Sequence, residues 1–199
     1  MQTIDDIAAL EALYDDPAPA SLTKVTPRIT PMYRRWIETS RFCILSTVGP
    51  EGTDATPRGD DGAVVRIVDD TTLLLPDWRG NNRIDNLRNI VRDPRASLMF
   101  LVPGSNNVVR VNGTAVLTAD PVVTDTFEQR GRHPKVVVVI TVTEMYFQCA
   151  KALMRSGLWS RDDSEGLPSA GDLIKEMDAD FDAETYDITY ADYAKGRMW

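Results

Sequence analysis

Asp77, Arg79, Asn81, Asn82 and Arg83, with Gly80 among them, form a run whose residue types suit an anion. A guanidinium offers a rigid fork of N–H donors that matches phosphate oxygens. The run follows an apolar segment, Leu73 to Pro76, that reads as a buried strand. It precedes a segment in which Ile84, Leu87 and Val91 fall at helical spacing, with Asn81 or Asn82 as the cap. A strand that enters a helix through a polar, glycine-containing turn presents free backbone N–H groups to an anion. The stretch is therefore a candidate holder for the phosphate of a bound cofactor. The same residues also describe an ordinary capped surface helix whose arginines face water.

Arg58 sits at the end of a second apparent strand, in Thr56-Pro57-Arg58-Gly59-Asp60. In a small barrel its neighbour could be the strand leading into Asp77, and Arg58 would then converge with Arg83 on one anion. Alone it reads as a surface arginine at a turn, and the Arg-Gly-Asp triplet as a chance match. Further along, Cys149 to Trp159 looks helical, and Lys151 and Arg155 share a face. Arg155, Ser156 and Trp159 offer a cation, a hydroxyl and an aromatic plate, which suit a flat, anionic, heteroaromatic ligand. A short amphipathic helix closing a barrel would carry the same pattern. His133 is the sole histidine, which leaves no histidine-rich metal site and reads as a loop residue. No nucleophile elbow, P-loop or dinucleotide fingerprint is present.

The elements that must position these groups follow from periodicity and turn chemistry. Asp6 and its neighbours, from Thr3, have capping-box character, and Ile7, Leu10 and Leu13 or Tyr14 give an apolar helical face. Thr30-Pro31 starts a helix that runs to about Glu38. Strands are expected at Phe42 to Val48, Asp54 to Arg58, Ala63 to Val68, Leu73 to Pro76, Ala96 to Val102, Val108 to Leu117 and Lys135 to Phe147. Most are joined by hairpin-length turns, which favours an antiparallel, closed or nearly closed barrel over a parallel sheet. Asn112-Gly113-Thr114 matches a glycosylation sequon but lies inside an expected strand. There Gly113 more naturally admits a close backbone or ligand, or marks a bulge. The tail carries further helices with Leu173, Ile174, Met177 and Phe181, and later Tyr186, Tyr190 and Tyr193.

Composition narrows the function classes. The net charge is −8, which argues against a general nucleic-acid binder. From Arg161 to Trp199 eleven acidic residues face four basic ones, a balance of −7, so residues 1–160 carry only −1. The main body can hold an anion without a large opposing field. No apolar run is long enough for a membrane helix, and the acidic start of the chain does not read as a signal peptide. Cys43 and Cys149 lie far apart, which suits reduced thiols in a cytoplasmic setting.

Taken together, Thr-Pro-Arg-Gly-Asp at 56–60, Leu-Pro-Asp-Trp-Arg-Gly-Asn-Asn-Arg at 75–83, Asp93-Pro94-Arg95, Arg110 to Ala115 and Cys149 to Trp159 have a distinctive order and spacing. On these marks the chain resembles the pyridoxamine 5′-phosphate oxidase-like family of flavin-binding split barrels, over roughly residues 30 to 160. The resemblance implies a mainly β fold with inserted helices, an antiparallel six-stranded split β-barrel, and a homodimer with FMN in clefts at its interface. Three parts are expected: an N-terminal helix and connector (1–30), the FMN-binding barrel (31–160), and an acidic helical extension (161–199) packed on the barrel or on the dimer partner. By resemblance, Arg58 and Arg83 would bind the FMN phosphate, with Asn81 or Asn82 as donor. Leu75, Pro76 and Asp77 would pass their backbone near the isoalloxazine. Arg155, Ser156 and Trp159 would reach the cofactor from the same or the other subunit. The Asn81-Asn82-Arg83 run replaces the oxidase's Ser-Arg-Lys motif, and Val108 stands where a flavin-contacting glutamine is expected. Pyridoxamine phosphate is therefore not the expected substrate. The expected activity is an FMN-dependent oxidoreductase on a small molecule. The alternatives are a non-catalytic flavin- or haem-binding module and a barrel with a vestigial pocket.

Overall fold

The computed structural model describes all 199 residues. In chain order its elements are α1 (Ile7–Glu11), α2 (Pro19–Thr23), α3 (Pro31–Thr39), β1 (Phe42–Gly49), β2 (Gly52–Gly59), β3 (Arg66–Ile67), β4 (Thr72–Pro76) and α4 (Asp85–Arg92). There follow β5 (Arg95–Leu101), β6 (Val108–Thr118), α5 (Pro121–Thr124), β7 (Val137–Gln148), α6 (Lys151–Ser156), α7 (Ala170–Met177) and α8 (Ala183–Lys195). No helix is long and apolar enough to cross a membrane.

All strands join one antiparallel sheet in the order β2-β1-β5-β6-β7-β4-β3. The architecture is thus mainly antiparallel sheet with helices, as expected, but the count is seven strands and the sheet is not hydrogen-bonded shut. Neither β2 nor β3 has a second strand partner. The segment expected as a strand from Ala63 is paired only at Arg66–Ile67. Val64 and Val65 are instead drawn into the core, and the Val64 N–H donates to the Ser40 carbonyl at 2.9 Å.

Strand alternation puts one side of each inner strand in the core. Cys43, Phe100 and Val109 stand level across β1, β5 and β6, as do Leu45, Leu98 and Val111. Leu73 and Leu75 of β4 and Val138 and Ile140 of β7 belong to the same buried cluster. A flat sheet could not bring β1 and β4 into one core with three strands between them, so the sheet curls around its interior. One extra residue, Thr143 on β7, lies at the register shift beside Asn112 and Gly113. It shifts the alternation by one, and Met145 and Val142 on either side of it both face inward. The Thr143 hydroxyl donates to the Asn112 carbonyl at 3.2 Å. Gly113 stands on β6 across from that bulge and is a close approach: a Cβ there would lie 1.9 Å from the Thr141 carbonyl oxygen.

Helix α4 lies on β1 through a polar rather than a purely apolar face. Asn86, Leu87, Asn89 and Ile90 are buried, and the Asn86 and Asn89 amides both donate to Thr47 Oγ1, at 2.9 and 3.2 Å. Gly49 leaves the room this needs, since a Cβ there would sit 2.2 Å from Asn89 Oδ1. The expected face of Ile84, Leu87 and Val91 is corrected. Ile84 stands at the non-helical N-cap position, and Val91 is 75% exposed. The first helix is likewise capped by Asp6 itself, which accepts from the Ala8 and Ala9 N–H groups.

Candidate functional site

The ends of β2 and β4 meet without a backbone ladder. Arg58 is level with Cys43, Phe100, Val109 and, at the end of β7, Phe147. Pro76 pairs with Val137, at the start of β7. Along the ladder the two strand ends are therefore nearly the whole length of β7 apart. Yet Arg58 Nη1 lies 2.5 Å from Asp77 Oδ1. Strands tilted around a barrel-like cylinder produce such an offset, and here side chains fasten the seam. The pair is largely buried, with side chains 18% and 23% exposed, and Arg58 Nε is buried without a partner. As ladder partners, Arg58 and Cys43 share the inner face. Burial pushes the Cys43 thiol up to about 12, against the pull of the Arg58 charge.

A second set of contacts centres on Asp60. Its Oδ2 accepts from Trp78 Nε1 at 2.6 Å, and its Oδ1 from Gln129 Nε2 at 2.9 Å and from the Asp61 N–H at 2.6 Å. The Asp77 N–H donates to the Val136 carbonyl at 2.9 Å. Asp77 and Trp78 therefore fix the start of the loop that runs to α4. Beyond them, the main-chain N–H groups of Trp78, Arg79, Gly80, Asn81 and Asn82 donate to no group in the chain. Asn82 holds a left-handed backbone, φ 62°. β3 covers the outer edge of β4 only as far as Leu74, so on that edge no strand pairs with Leu75, Pro76 or Asp77, while β7 pairs with Leu75 and Pro76 on the other. The Leu75 side chain itself is in the core, 1% exposed, and Pro76 is buried.

The expected site residues fall into three groups. Arg58 reaches Asp77 rather than Arg83. Arg83 lies on the outside, 79% exposed, and its Nε and Nη2 donate to Asp85 Oδ2 at 3.1 and 2.9 Å. The two arginines thus engage different carboxylates, because strand alternation turns Arg58 inward. Neither asparagine caps α4: the helix begins at Asp85, and Asn81 Oδ1 accepts the Arg83 N–H at 2.9 Å in a local turn. No hydrogen bond joins the third group to the loop. Trp159 Nε1 donates to the Ser105 carbonyl at 2.7 Å, the Ser156 hydroxyl donates to Leu153 of its own helix, and exposed Arg155 makes no ion pair.

Sequence reasoning missed the wall facing the loop. Arg79, Gly80, Asn81 and Asn82 line one side of a cleft of about 1010 Å³, and Tyr186, Tyr190 and Tyr193 of α8 line the other, with Arg197 and Trp199 beyond them. Trp199 packs edge-on against Trp78, ring centroids 5.6 Å apart, and its carbonyl accepts from Arg132 Nη1 at 2.6 Å. The spacing of the tyrosines put them on one helix face. Nothing in the sequence said that this face would look onto a cleft rather than a core.

Among solved structures the chain is similar to a single-residue variant of HupZ from Group A Streptococcus, with 19% identity over 60% of this chain and 99% of that one, at a TM-score of 0.50. A candidate pyridoxamine 5′-phosphate oxidase from Lactobacillus delbrueckii shares 19% identity over 61% of this chain and 95% of that one, at a TM-score of 0.48. An F420 reductase shares 18% over 60% and 98%, at a TM-score of 0.44. At such identities the likeness is one of fold. No curated protein matches the sequence. The family model for pyridoxamine 5′-phosphate oxidase matches residues 29–149, from just before α3 through all seven strands of the sheet. With more than half of it matched, the chain belongs to the pyridoxamine 5′-phosphate oxidase family, which includes oxidoreductases.

Proposed function

We propose that the chain is an FMN-dependent oxidoreductase acting on a small molecule, a homodimer whose curled sheet serves as the family's split barrel. The observation that carries the reading is the loop after β4, whose successive N–H groups from Trp78 to Asn82 have no partner in the chain. They are donors that no group of the chain engages and that lie open to solvent, flanked by Arg79 and Arg83, and a phosphate would accept from them in place of water. Arg83 would contribute the charge, exchanging or sharing its exposed Asp85 partner. Arg58 would act one step back, holding Asp77 and with it the end of β4. At the end of β4, Leu75 and Pro76 are buried and Asp77 stays partly open, so a planar ring would meet the backbone there at Asp77. No hydrogen bond or ion pair joins Arg155, Ser156 or Trp159 to this loop within one chain, and by the resemblance they would reach the cofactor from the same or the other subunit.

The flavin, when bound, supplies hydride or electron transfer. The chain's residues supply position, charge and exclusion of water. The test is a spectrum: protein purified and then denatured should release a flavin identified as FMN by mass. Protein that neither carries FMN nor binds it when added would refute the reading. A protein that binds FMN but is not reduced by a nicotinamide donor or other reductant would support the non-catalytic flavin-binding module instead.

A further inference from the structure

The cleft between the Arg79–Asn82 loop and α8 has features that a phosphate-binding loop does not require. Tyr186, Tyr190 and Tyr193 recur along one face of α8, and Tyr186 and Tyr190 lie with ring centroids 5.4 Å apart and planes 32° from parallel. This helix buries only Ala183, so its aromatic surface serves the cleft rather than a core. Trp199 closes the far side, and its Nε1 is buried without a partner. Arg197 stacks on Tyr193, 4.3 Å from the ring centroid, and its Nη1 donates to the Tyr193 hydroxyl at 2.8 Å. Arg79 makes no ion pair. Of the two carboxylates in the lining, Asp60 keeps its charge but has both oxygens taken up by three neutral donors, and neither it nor Asp61 pairs with Arg79. Such a wall favours stacking of a flat ring, and Arg79, which has no ion-pair partner, offers its donor fork to one anionic group on that ring.

We propose that this cleft is a second ligand site, for a planar aromatic monoanion, and that α8 with Arg197 and Trp199 forms its wall. α8 lies outside the 29–149 family match, so this chain's extension supplies one wall of the site and the matched region the other. If the FMN reading above holds, the ligand is the oxidoreductase's aromatic substrate, lying beside the loop that carries the cofactor phosphate. The cleft's volume of about 1010 Å³ accommodates a bicyclic or tricyclic ring with room for water.

The test uses the full chain, with and without added FMN, titrated with naphthoate and with its neutral counterpart naphthalenemethanol, followed by calorimetry. Naphthoate should bind, and bind more tightly than the alcohol. Tyr190→Ala should weaken both ligands about fivefold, the loss of one aromatic contact. Arg79→Gln should weaken naphthoate about tenfold and leave the alcohol unchanged. Both residues are on the surface of the cleft, and a circular dichroism spectrum checks that each variant is folded. Failure to bind naphthoate at millimolar concentration, equal affinity in all three proteins, or displacement of bound FMN by naphthoate would each overturn the proposal. Naphthoate binding to a chain that takes up no FMN would uphold the cleft and refute the flavin reading, so the two fail separately.

Discussion

The Arg58–Asp77 pair is the most direct lever on the seam between β2 and β4. Consider Asp77→Asn. The change removes the counter-charge of a guanidinium that is 18% exposed, whose Nε is already buried without a partner and whose ladder neighbour Cys43 is fully buried. Breaking a buried ion pair from one side costs about 3–5 kcal/mol, because the remaining charge stays in a poor solvent. The pair here is about a fifth exposed, which lets water relieve part of that, and we expect a loss of about 2–3 kcal/mol. Replacing both partners by apolar residues of similar size, Arg58→Met with Asp77→Leu, should recover most of it, since no uncompensated charge then remains. Urea unfolding followed by tryptophan fluorescence gives all the free energies. The reasoning fails if Asp77→Asn changes stability by no more than about 0.5 kcal/mol, as a surface site would. It fails equally if the double variant shows the plain sum of the two single losses.

Gly113→Ala should prevent the bulge from forming as it does, because a methyl group has no space 1.9 Å from the Thr141 carbonyl. The expected result is a loss of about 3 kcal/mol or insoluble protein, read by the same unfolding curves. Thr47→Val keeps the shape but strips two buried amides of their acceptor. Each orphaned donor costs about 1–3 kcal/mol, and melting should fall accordingly, with Thr47→Ser retaining most of the stability. The buried Cys43 thiol has its folded value raised above 9.0 to about 12. Above pH 9.0 the unfolded chain releases this proton while the folded one keeps it, so stability falls as pH rises toward 12, by up to about 1.4 kcal/mol per pH unit. Cys43→Ala should flatten that slope. In native protein only the exposed Cys149, held below its usual value first by the Lys151 N–H, should react quickly with a thiol reagent.

The sequence made the strands and the order of their turns legible, because apolar alternation and Gly, Pro and Asp clusters report local structure directly. Phe42 to Val48 and Val108 to Leu117 became β1 and β6 with at most a residue of change at either end. Gly113, standing in a β-branched run, marked a close backbone approach, and the bulge lies across from it at Thr143 of β7. What failed were features set by long-range packing. The apolar residues Ile84, Leu87 and Val91 point to one face of α4, whereas Thr47, far away in sequence, selects the face carrying Asn86 and Asn89. The ion pair of Arg58 with Asp77 was likewise out of reach of a sequence that groups Arg58 and Arg83 as two cations over one anion. Which side of a strand a residue takes depends on register, and Cys43 opposite Arg58 turns it inward to Asp77. The tyrosines of α8 were visible as a helix face, but the loop opposite them lies a hundred residues earlier, beyond the reach of any periodicity.

The central claim is that the loop from Trp78 to Arg83 receives a phosphate. It is tested most directly by titrating the wild-type chain and Arg83→Ala with FMN and with riboflavin, following the quenching of flavin fluorescence. The exposed Arg83 side chain can be lost without disturbing the core. FMN affinity should drop about tenfold or more, the weight of a charge-assisted hydrogen bond, while riboflavin affinity stays the same. Equal losses for the two ligands, or an FMN affinity no better than that of riboflavin in the wild type, would contradict it.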